Sequence, residues 1–557
     1  MPHDVETYAE GATSLFAAFC LAADARPENT ALRGDGGRGQ EYSYREVKQA
    51  VRRLAAGLQT GPCASIGEIG LLSENRPEWP ISYLAIVAAG KTVVPLDANL
   101  KPAELTDLIA GAGLRVVIAS GRFAEFLNGL PDPPQVYSFD EGAGRNWQNL
   151  TGNPSDWSER ADRDTLAALI YTSGTTGKPK AVMLTHGNLL ANLVAINRAL
   201  RFGSYDIWLS LLPLHHTFEA TCGFLTPLTC GAAIVYARSL KSREILEDIG
   251  YVGATVMCGV PLLYEKMFQS MNRKIQAVSA VKRGLVAVLT ALSAVGWKFG
   301  FKWGRVLFRS LRSGVGLATI RIMVSGGAAL PPVIARQFNL MGIHLFQGYG
   351  MTEASPVIAV NKPGDVRFGS VGPPLDGVEV RINEPGPSGI GEIVVRGANV
   401  TPGYKNNPGA TAEILSPDGW LHTGDLGRLA EGHLWITGRA KNLIVSAAGK
   451  NIYPEELEER LVVSGYILEA LVFGRSKIDR QGEEVRALLV PDPDQFRSEF
   501  GWVPDDTHRE QVTRILKDVV TGVNTQVADY KRIADFDVQY EELQKTSTRK
   551  VKRFLYK

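Results

Sequence analysis

Cysteine is scarce in this chain of 557 residues and never closely paired. Cys20, Cys63, Cys222, Cys230 and Cys258 are five in number and form no CxxC, so neither a disulfide framework nor a zinc site is indicated, and a reducing cytoplasm is the expected compartment. Net charge is nearly missing too: 60 Lys and Arg stand against 58 Asp and Glu, a balance of +2. No global field draws nucleic acid, so no nucleic-acid partner is expected and any basic surface must be local. The opening "MPHDVETYAEGATSLFAAFC" lacks the basic n-region of a signal peptide, which argues against export. Apolar runs are short as well. The longest uncharged one, Leu285 to Trp297, falls below the roughly 20 residues of a spanning helix, so no bilayer crossing is expected. Internal repeats and low-complexity segments are missing.

What is present is ordinary globular composition, 45% hydrophobic and 21% charged, in a chain long enough for several cores. Residues 45 to 200 alternate helical patterns with apolar runs such as "IGLLS" and "TVVPL", the texture of an α/β sheet covered by helices. Around 367–437 short alternating strands with Gly and Pro turns, "VEVRI" and "GEIVVRG", predict a small β-barrel subdomain. From Arg439 onward the pattern changes again. "YPEELEERL" reads as a helix start with Pro454 in its first turn, "LEALVFG" and "VRALLVP" as strands, and "REQVTRILKDVVTGV" as a helix. The expected fold is α/β: a large N-terminal domain, 1–438, of helix-covered sheets with a β-rich subdomain, then a small α+β domain, 439–557.

Two stretches carry phosphate-like chemistry. In "YTSGTTGKPKAVMLTH" a loop joins two apolar runs, and Pro179 after Lys178 excludes a Walker A loop, whose Lys leads into a helix. Gly174 and Gly177 let backbone N–H groups converge, Ser173, Thr175 and Thr176 offer hydroxyls, and Lys178 and Lys180 offer charge. The bland alternative for the loop on its own is a flexible polar hairpin. "IRIMVSGGAALPPVIARQFNLMGIHLFQGYGMTE" reads as strand, Gly turn, helix, strand and loop. The parallel strands of such a βαβ unit place "SGGA" and "QGYGMTE" at one carboxyl edge, where ligands bind. Tyr349 would stack on a base, Thr352 would bond a phosphate and Glu353 would hold a divalent cation; a purely structural turn fits the same residues.

"YTSGTTGKPK", "QGYGMTE", "GWLHTGDLG" and "ITGRAKNLI", in this order and spacing, resemble the adenylate-forming superfamily of acyl-CoA synthetases, luciferases and peptide-synthetase adenylation domains. "LLSENRPEW", "SGGAALPP" and "SPVIAVN" look most like its long-chain fatty acid branch. The resemblance implies an ATP- and Mg²⁺-dependent ligase that makes an acyl-AMP and then a CoA thioester. It implies that Thr172, Ser173, Gly174, Thr175, Thr176, Gly177 and Lys178 wrap pyrophosphate, that Gly326, Gly327, Ala328 and Tyr349 enclose adenine, and that Gln347, Gly348 and Gly350 belong to the same cofactor site. Thr352 would touch the α-phosphate and Glu353 would bind Mg²⁺, while Asp425 and Arg439 hold the ribose hydroxyls. Lys441 would be the hinge of a mobile C-terminal domain, and Gly449 would approach the thiol. "LQKTSTRKVKRFLYK" aligns Lys550 with the family's catalytic lysine, although Gln544 and Arg549 replace its Pro and Gly and Lys545 and Lys552 lie close by. His216 in "LPLHHTFE" falls at the acyl pocket, as a gate or as a neutral core histidine. The implied partners are a fatty acid and CoA. A carrier-protein acceptor, an aryl acid and a non-enzymatic lipid-binding scaffold are the alternatives, and the oligomeric state is open, a homodimer included.

One stretch lies outside these motifs. From Lys266 to Ile322 there are eleven Lys or Arg and no Asp or Glu. The pattern suits a helix in an anionic membrane interface, which would place the protein peripherally on the inner face of a membrane; a basic face packed inside the protein suits it equally.

Overall fold

The computed structural model describes residues 8–142, 145–172, 179–446, 450–476, 483–545 and 551–556. The chain divides into two compact units, Met1–Val380 with Val395–Leu421, and Arg381–Val394 with His422–Lys557.

The first unit is built on two sheets. One has eight strands in the order Val357–Val360, His344–Gly350, Ile322–Ser325, Val256–Gly259, Ile207–Ser210, Ala233–Tyr236, Thr30–Arg33 and Glu41–Ser43. Its interior pairings are parallel, and only the two edge strands run antiparallel. "VMCG" and "IMVS" are buried at every residue, as central parallel strands covered on both faces should be. The second sheet orders seven strands: Arg145–Asn146, Gln135–Ser138, Val116–Ala119, Glu68–Leu72, Thr92–Pro95, Leu166–Thr172 and Lys180–Thr185. Only the last pair is antiparallel.

The βαβ unit reads as the sequence predicts. The helix Pro332–Leu340 starts on Pro332, which gives up no intrahelical donor there, and turns Ala335 and Phe338 into the core. It is closed by Gly342 at φ +79°, where a Cβ would sit 2.4 Å from the Arg305 nitrogen, so glycine is required twice over.

A four-stranded sheet orders Val378–Asn383, Gly391–Gly397, Leu421–Ala430 and His433–Arg439. Further along, Ile467–Ser476 pairs antiparallel with Glu483–Pro491, which pairs parallel with Asp535–Val538. The helices Pro454–Val462 and Arg509–Asn524 turn Leu457, Leu461, Val512 and Leu516 into the core they share with this sheet. The division between units differs from the boundary expected at residue 438. Residue 438 lies inside a hairpin whose register runs from Ala430↔His433 to Asp425↔Arg439, and the division falls upstream of it, between Leu421 and His422.

A second difference concerns the membrane. Ala280–Lys298 forms one helix of 19 residues, long and apolar enough by length and composition to cross a membrane. The uncharged run Leu285 to Trp297 lies inside this helix, which begins upstream of Lys282 and Arg283 and ends on Lys298.

Candidate active site

The strand pair Leu166–Thr172 and Lys180–Thr185 brackets the first Gly-rich loop, with Thr172 opposite Lys180. The Thr172 hydroxyl donates to the Lys180 carbonyl at 3.4 Å, and the Lys180 ammonium lies 5.1 Å from the centre of the Tyr404 ring. Ser173, Gly174, Thr175, Thr176, Gly177 and Lys178 lie outside the described residues, as do Gly449 and Lys550.

At the carboxyl edge of the eight-stranded sheet the register aligns Gly259, Ser325 and Gln347. The turn Gly326–Gly327–Ala328 therefore emerges beside the strand end Gln347–Gly348–Tyr349–Gly350. The Gly326 N–H donates to the Gly259 carbonyl at 3.1 Å, and a Cβ on Gly326 would lie 3.0 Å from the Phe218 ring. Gly327 and Ala328 are exposed and Tyr349 is half-buried, so backbone and ring surface are offered together. Gly350 is held by close backbone approach: a Cβ there would meet the Pro356 carbonyl at 1.9 Å.

Thr352 and Glu353 follow directly. The Thr217 hydroxyl donates to the Thr352 hydroxyl at 3.3 Å. Glu353 is buried, and its carboxylate accepts from the Tyr404 phenol at 2.7 Å while its backbone carbonyl accepts from the Thr401 N–H at 2.8 Å. Burial, and then the neighbouring carboxylate, push the Tyr404 phenol well above its ordinary pKa, so the proton stays on Tyr404 and points at Glu353. This donor set suits Mg²⁺, which takes one or two carboxylates and leaves its other positions to water and substrate phosphates.

His216 belongs to the segment Leu211–Phe218, which Asn75 pins by donating to the Leu212 carbonyl at 2.6 Å and accepting from the Leu214 N–H at 3.0 Å. Its ring centroid lies 4.0 Å from that of His215, whose Nε2 is 3.2 Å from an Asp97 oxygen. One ligand atom each from Asp97, His215 and His216 falls within 4.8 Å of the others. Next in sequence, Glu219 opens a π-helical turn, Glu219–Leu225, and is wholly buried. Ser210 donates to it at 2.6 Å, and burial pushes its carboxyl up to about 8. Gly223 leaves room for that carboxyl, since a Cβ there would sit 2.3 Å from its oxygen.

In the second unit the register sets Asp425 opposite Arg439, and the Arg439 Nε donates to the Asp425 carboxylate at 2.7 Å. Asp425 is buried while the Arg439 side chain is half exposed. The two residues expected at the ribose thus engage each other, with the guanidinium orienting the acid. Lys441 sits exposed in the short turn Ala440–Asn442 that follows. Lys545 is an ion-pair partner of Glu469 and of Glu542, the latter at 2.9 Å. Burial opposes its charge, but those two acids raise its pKa overall, which removes one neighbour from competition with Lys550. Sequence reasoning missed Tyr404, Thr217, Asn75, Ser210 and Glu219. Asn75, Thr217 and Glu219 lie in the quoted stretches "LLSENRPEW" and "LPLHHTFE" without having been singled out, and for Tyr404 the signal was a phenol in the Pro- and Gly-rich run "TPGYKNNPG".

The sequence model of the family described as AMP-binding enzyme matches residues 19–405. Over 493 residues the chain is 31% identical to the long-chain-fatty-acid–CoA ligase FadD15 of Mycobacterium bovis, covering 82% of this chain and 78% of that one. It is equally 31% identical, over 482 residues, to a feruloyl-CoA synthase of Amycolatopsis, covering 84% and 86%. Among solved structures, ATP-bound MatB from Rhodopseudomonas palustris superposes with a TM-score of 0.76 at 26% identity, over 97% of each chain.

Proposed function

The chain belongs to the AMP-binding enzyme family and is an ATP-dependent ligase that forms acyl adenylates; from that premise we propose that its acid is a medium- to long-chain fatty acid and that the acyl group passes to coenzyme A. The observation that carries the reading is the meeting of the Gly326–Ala328 turn, the Gln347–Gly350 strand end and the Thr352–Glu353 pair at one sheet edge. The chain-length class rests on the resemblance of "LLSENRPEW" and "SPVIAVN" and on the likeness to FadD15.

The chemistry runs in two displacements. A carboxylate oxygen of the acid attacks the α-phosphorus of ATP, the bond to the bridging oxygen breaks, and pyrophosphate leaves with the electron pair. The thiolate of CoA then attacks the acyl carbon, and the C–O bond to AMP breaks. Gly326, Gly327, Ala328 and Tyr349 hold the base, and the Thr172–Lys180 loop receives the leaving phosphates. Asp425, aimed by Arg439, accepts from the ribose hydroxyls; such charge-assisted bonds contribute about 1.5 to 3 kcal/mol each. The Thr352 hydroxyl, itself positioned by Thr217, donates to the α-phosphate. Lys550 bridges carboxylate and phosphate and stabilises charge that develops along the line of attack. Glu353 would hold Mg²⁺, which when bound shares the charge of the departing phosphates. For the second displacement the family's domain rotation would use Lys441 as its hinge.

Exchange of labelled pyrophosphate into ATP, measured across a panel of acids and followed by addition of CoA, tests the reading. Exchange should rise with aliphatic chain length and require Mg²⁺, and CoA should convert bound adenylate to thioester with release of AMP. The likeness to feruloyl-CoA synthase favours one rival, an aryl acid, and preferential exchange with cinnamate-type acids would replace the fatty acid by it. Transfer to a phosphopantetheine arm but not to free CoA would change the acceptor.

A further inference from the structure

The helix Ala280–Lys298 has two unlike faces. On one, the Ser293 hydroxyl donates to the Leu340 carbonyl at 2.7 Å, Gly296 lies so close to Trp303 that a Cβ would meet its ring at 2.8 Å, and Val286 and Leu289 pack against the core. On the other, Val281, Leu285, Val288, Leu292, Val295 and Phe299 are between 46% and 83% exposed. These six recur at steps of four and three residues and fall within an arc of about 80° on a helix of 3.6 residues per turn. They form one apolar stripe in water, continued by exposed Phe301 and Trp303, whose rings stack at 5.7 Å. A soluble surface rarely carries a continuous apolar strip without a partner.

Charge identifies that partner. Of the eleven cations between Lys266 and Ile322, Arg312 is buried and donates to the carbonyls of Gly304, Arg305 and Met341, and Arg321 pairs with Asp206. The other nine are exposed, with Lys282 and Arg283 near one end of the stripe and Lys298, Lys302, Arg305 and Arg309 near the other. We propose that this face docks the protein on an anionic lipid surface, with the helix axis in the plane of the interface and the aromatic pair at headgroup depth. The helix lies on the bilayer rather than across it, because its inner face is already bound to the protein. A second copy of the chain is the rival occupant, since the 4–3 spacing is that of a coiled-coil seam. Self-pairing of this stripe would bring two like-charged flanks together, whereas anionic lipid complements them.

The test is co-sedimentation of the full-length protein with vesicles of phosphatidylcholine alone and of phosphatidylcholine mixed with phosphatidylglycerol. Binding should require the anionic lipid and fall away as salt rises above about 0.1 M, where the screening length is about 10 Å. Joint reversal of Lys298, Lys302, Arg305 and Arg309 to Glu should lower partitioning at least about 100-fold. Leu285→Gln with Leu292→Gln should weaken it with all charges kept, and unaltered circular dichroism shows that both variants fold. Equal binding to neutral vesicles, retention in high salt until detergent is added, or unchanged binding by the reversed protein would overturn the proposal. So would a concentration-dependent dimer, seen by light scattering, that the Leu285→Gln, Leu292→Gln protein no longer forms. Vesicle binding needs no substrate, so its outcome stands apart from the chain-length reading above.

Discussion

The carboxyl edge of the eight-stranded sheet and the second unit hold their acids in opposite ways. At the edge, Glu353 and Glu219 are buried and each is held by a neutral hydroxyl, that of Tyr404 or that of Ser210. In the second unit Asp425 has Arg439, Glu469 has Lys545 and Glu458 has Arg553, so each acid brings its own cation. Glu353, held by a hydroxyl, keeps its negative charge available to an arriving cation, whereas burial keeps Glu219 protonated and a paired carboxylate has spent its charge within the fold. The edge is therefore organised to receive positive charge with the nucleotide. Asp425, oriented by its own cation, is left to accept hydroxyls, and the positive charge that the second unit brings to the reaction is the role we assign to Lys550.

The strongest test of that contrast is a pair of variants. Lys550→Ala should lower pyrophosphate exchange about 10²- to 10³-fold, the loss of roughly 3 to 4 kcal/mol aimed at a transition state, while thioester formation from supplied acyl-AMP largely survives. Glu353→Gln should strike the same half-reaction and also shift the Mg²⁺ titration to higher concentration, which Lys550→Ala should not. If both variants move the Mg²⁺ titration alike, the division of labour is wrong. Lys441→Pro comes next in size. Fixing φ at the turn should leave exchange nearly intact while overall thioester synthesis falls, and equal damage to both half-reactions would tell against a hinge.

The two sides also differ in how far they could be read from sequence. The edge turns were legible because backbone approach leaves glycine no substitute, as at Gly350. Their supporting side chains were not: Tyr404 reaches Glu353 across 51 residues, and Thr217 reaches Thr352 across 135. No local pattern encodes such pairs. In the hairpin that carries Asp425 and Arg439, the alternation of strand residues was visible, but the register that makes the two residues partners was not. The basic stretch shows a third case. Its charge asymmetry is plain in the sequence, yet Arg312, spaced like its neighbours, turns inward to satisfy three carbonyls.

Tyr404→Phe sharpens the contrast at intermediate size. The ring and its packing remain, but Glu353 loses a hydrogen bond to a charged group, a loss of about 1.5 to 3 kcal/mol, and exchange should fall about 10- to 150-fold. Recovery at raised Mg²⁺ would show that the phenol positions the carboxylate for the cation; a fall that no Mg²⁺ concentration repairs would assign Tyr404 elsewhere.

The smallest effect is one of pH and concerns Glu219, the other buried acid of the edge. Its carboxyl stands at about 8 in the fold against 4.5 when exposed, because burial disfavours the charged form more than the bonds from Ser210 and the Leu211 backbone restore it. Between those values the folded protein keeps a proton that the unfolded chain has lost, so the contribution is fully present below 4.5 and drains away as pH rises through about 8. The slope from this one group is at most about 1.4 kcal/mol per pH unit. Glu219→Gln keeps an oxygen for the Ser210 hydroxyl but cannot ionise, so its urea midpoint should fall less across the same range than that of the parent. Parallel midpoints for the two proteins would mean that Glu219 ionises at its ordinary pH and that some cation reaches it, and the contrast between the two regions would then rest on Glu353 alone.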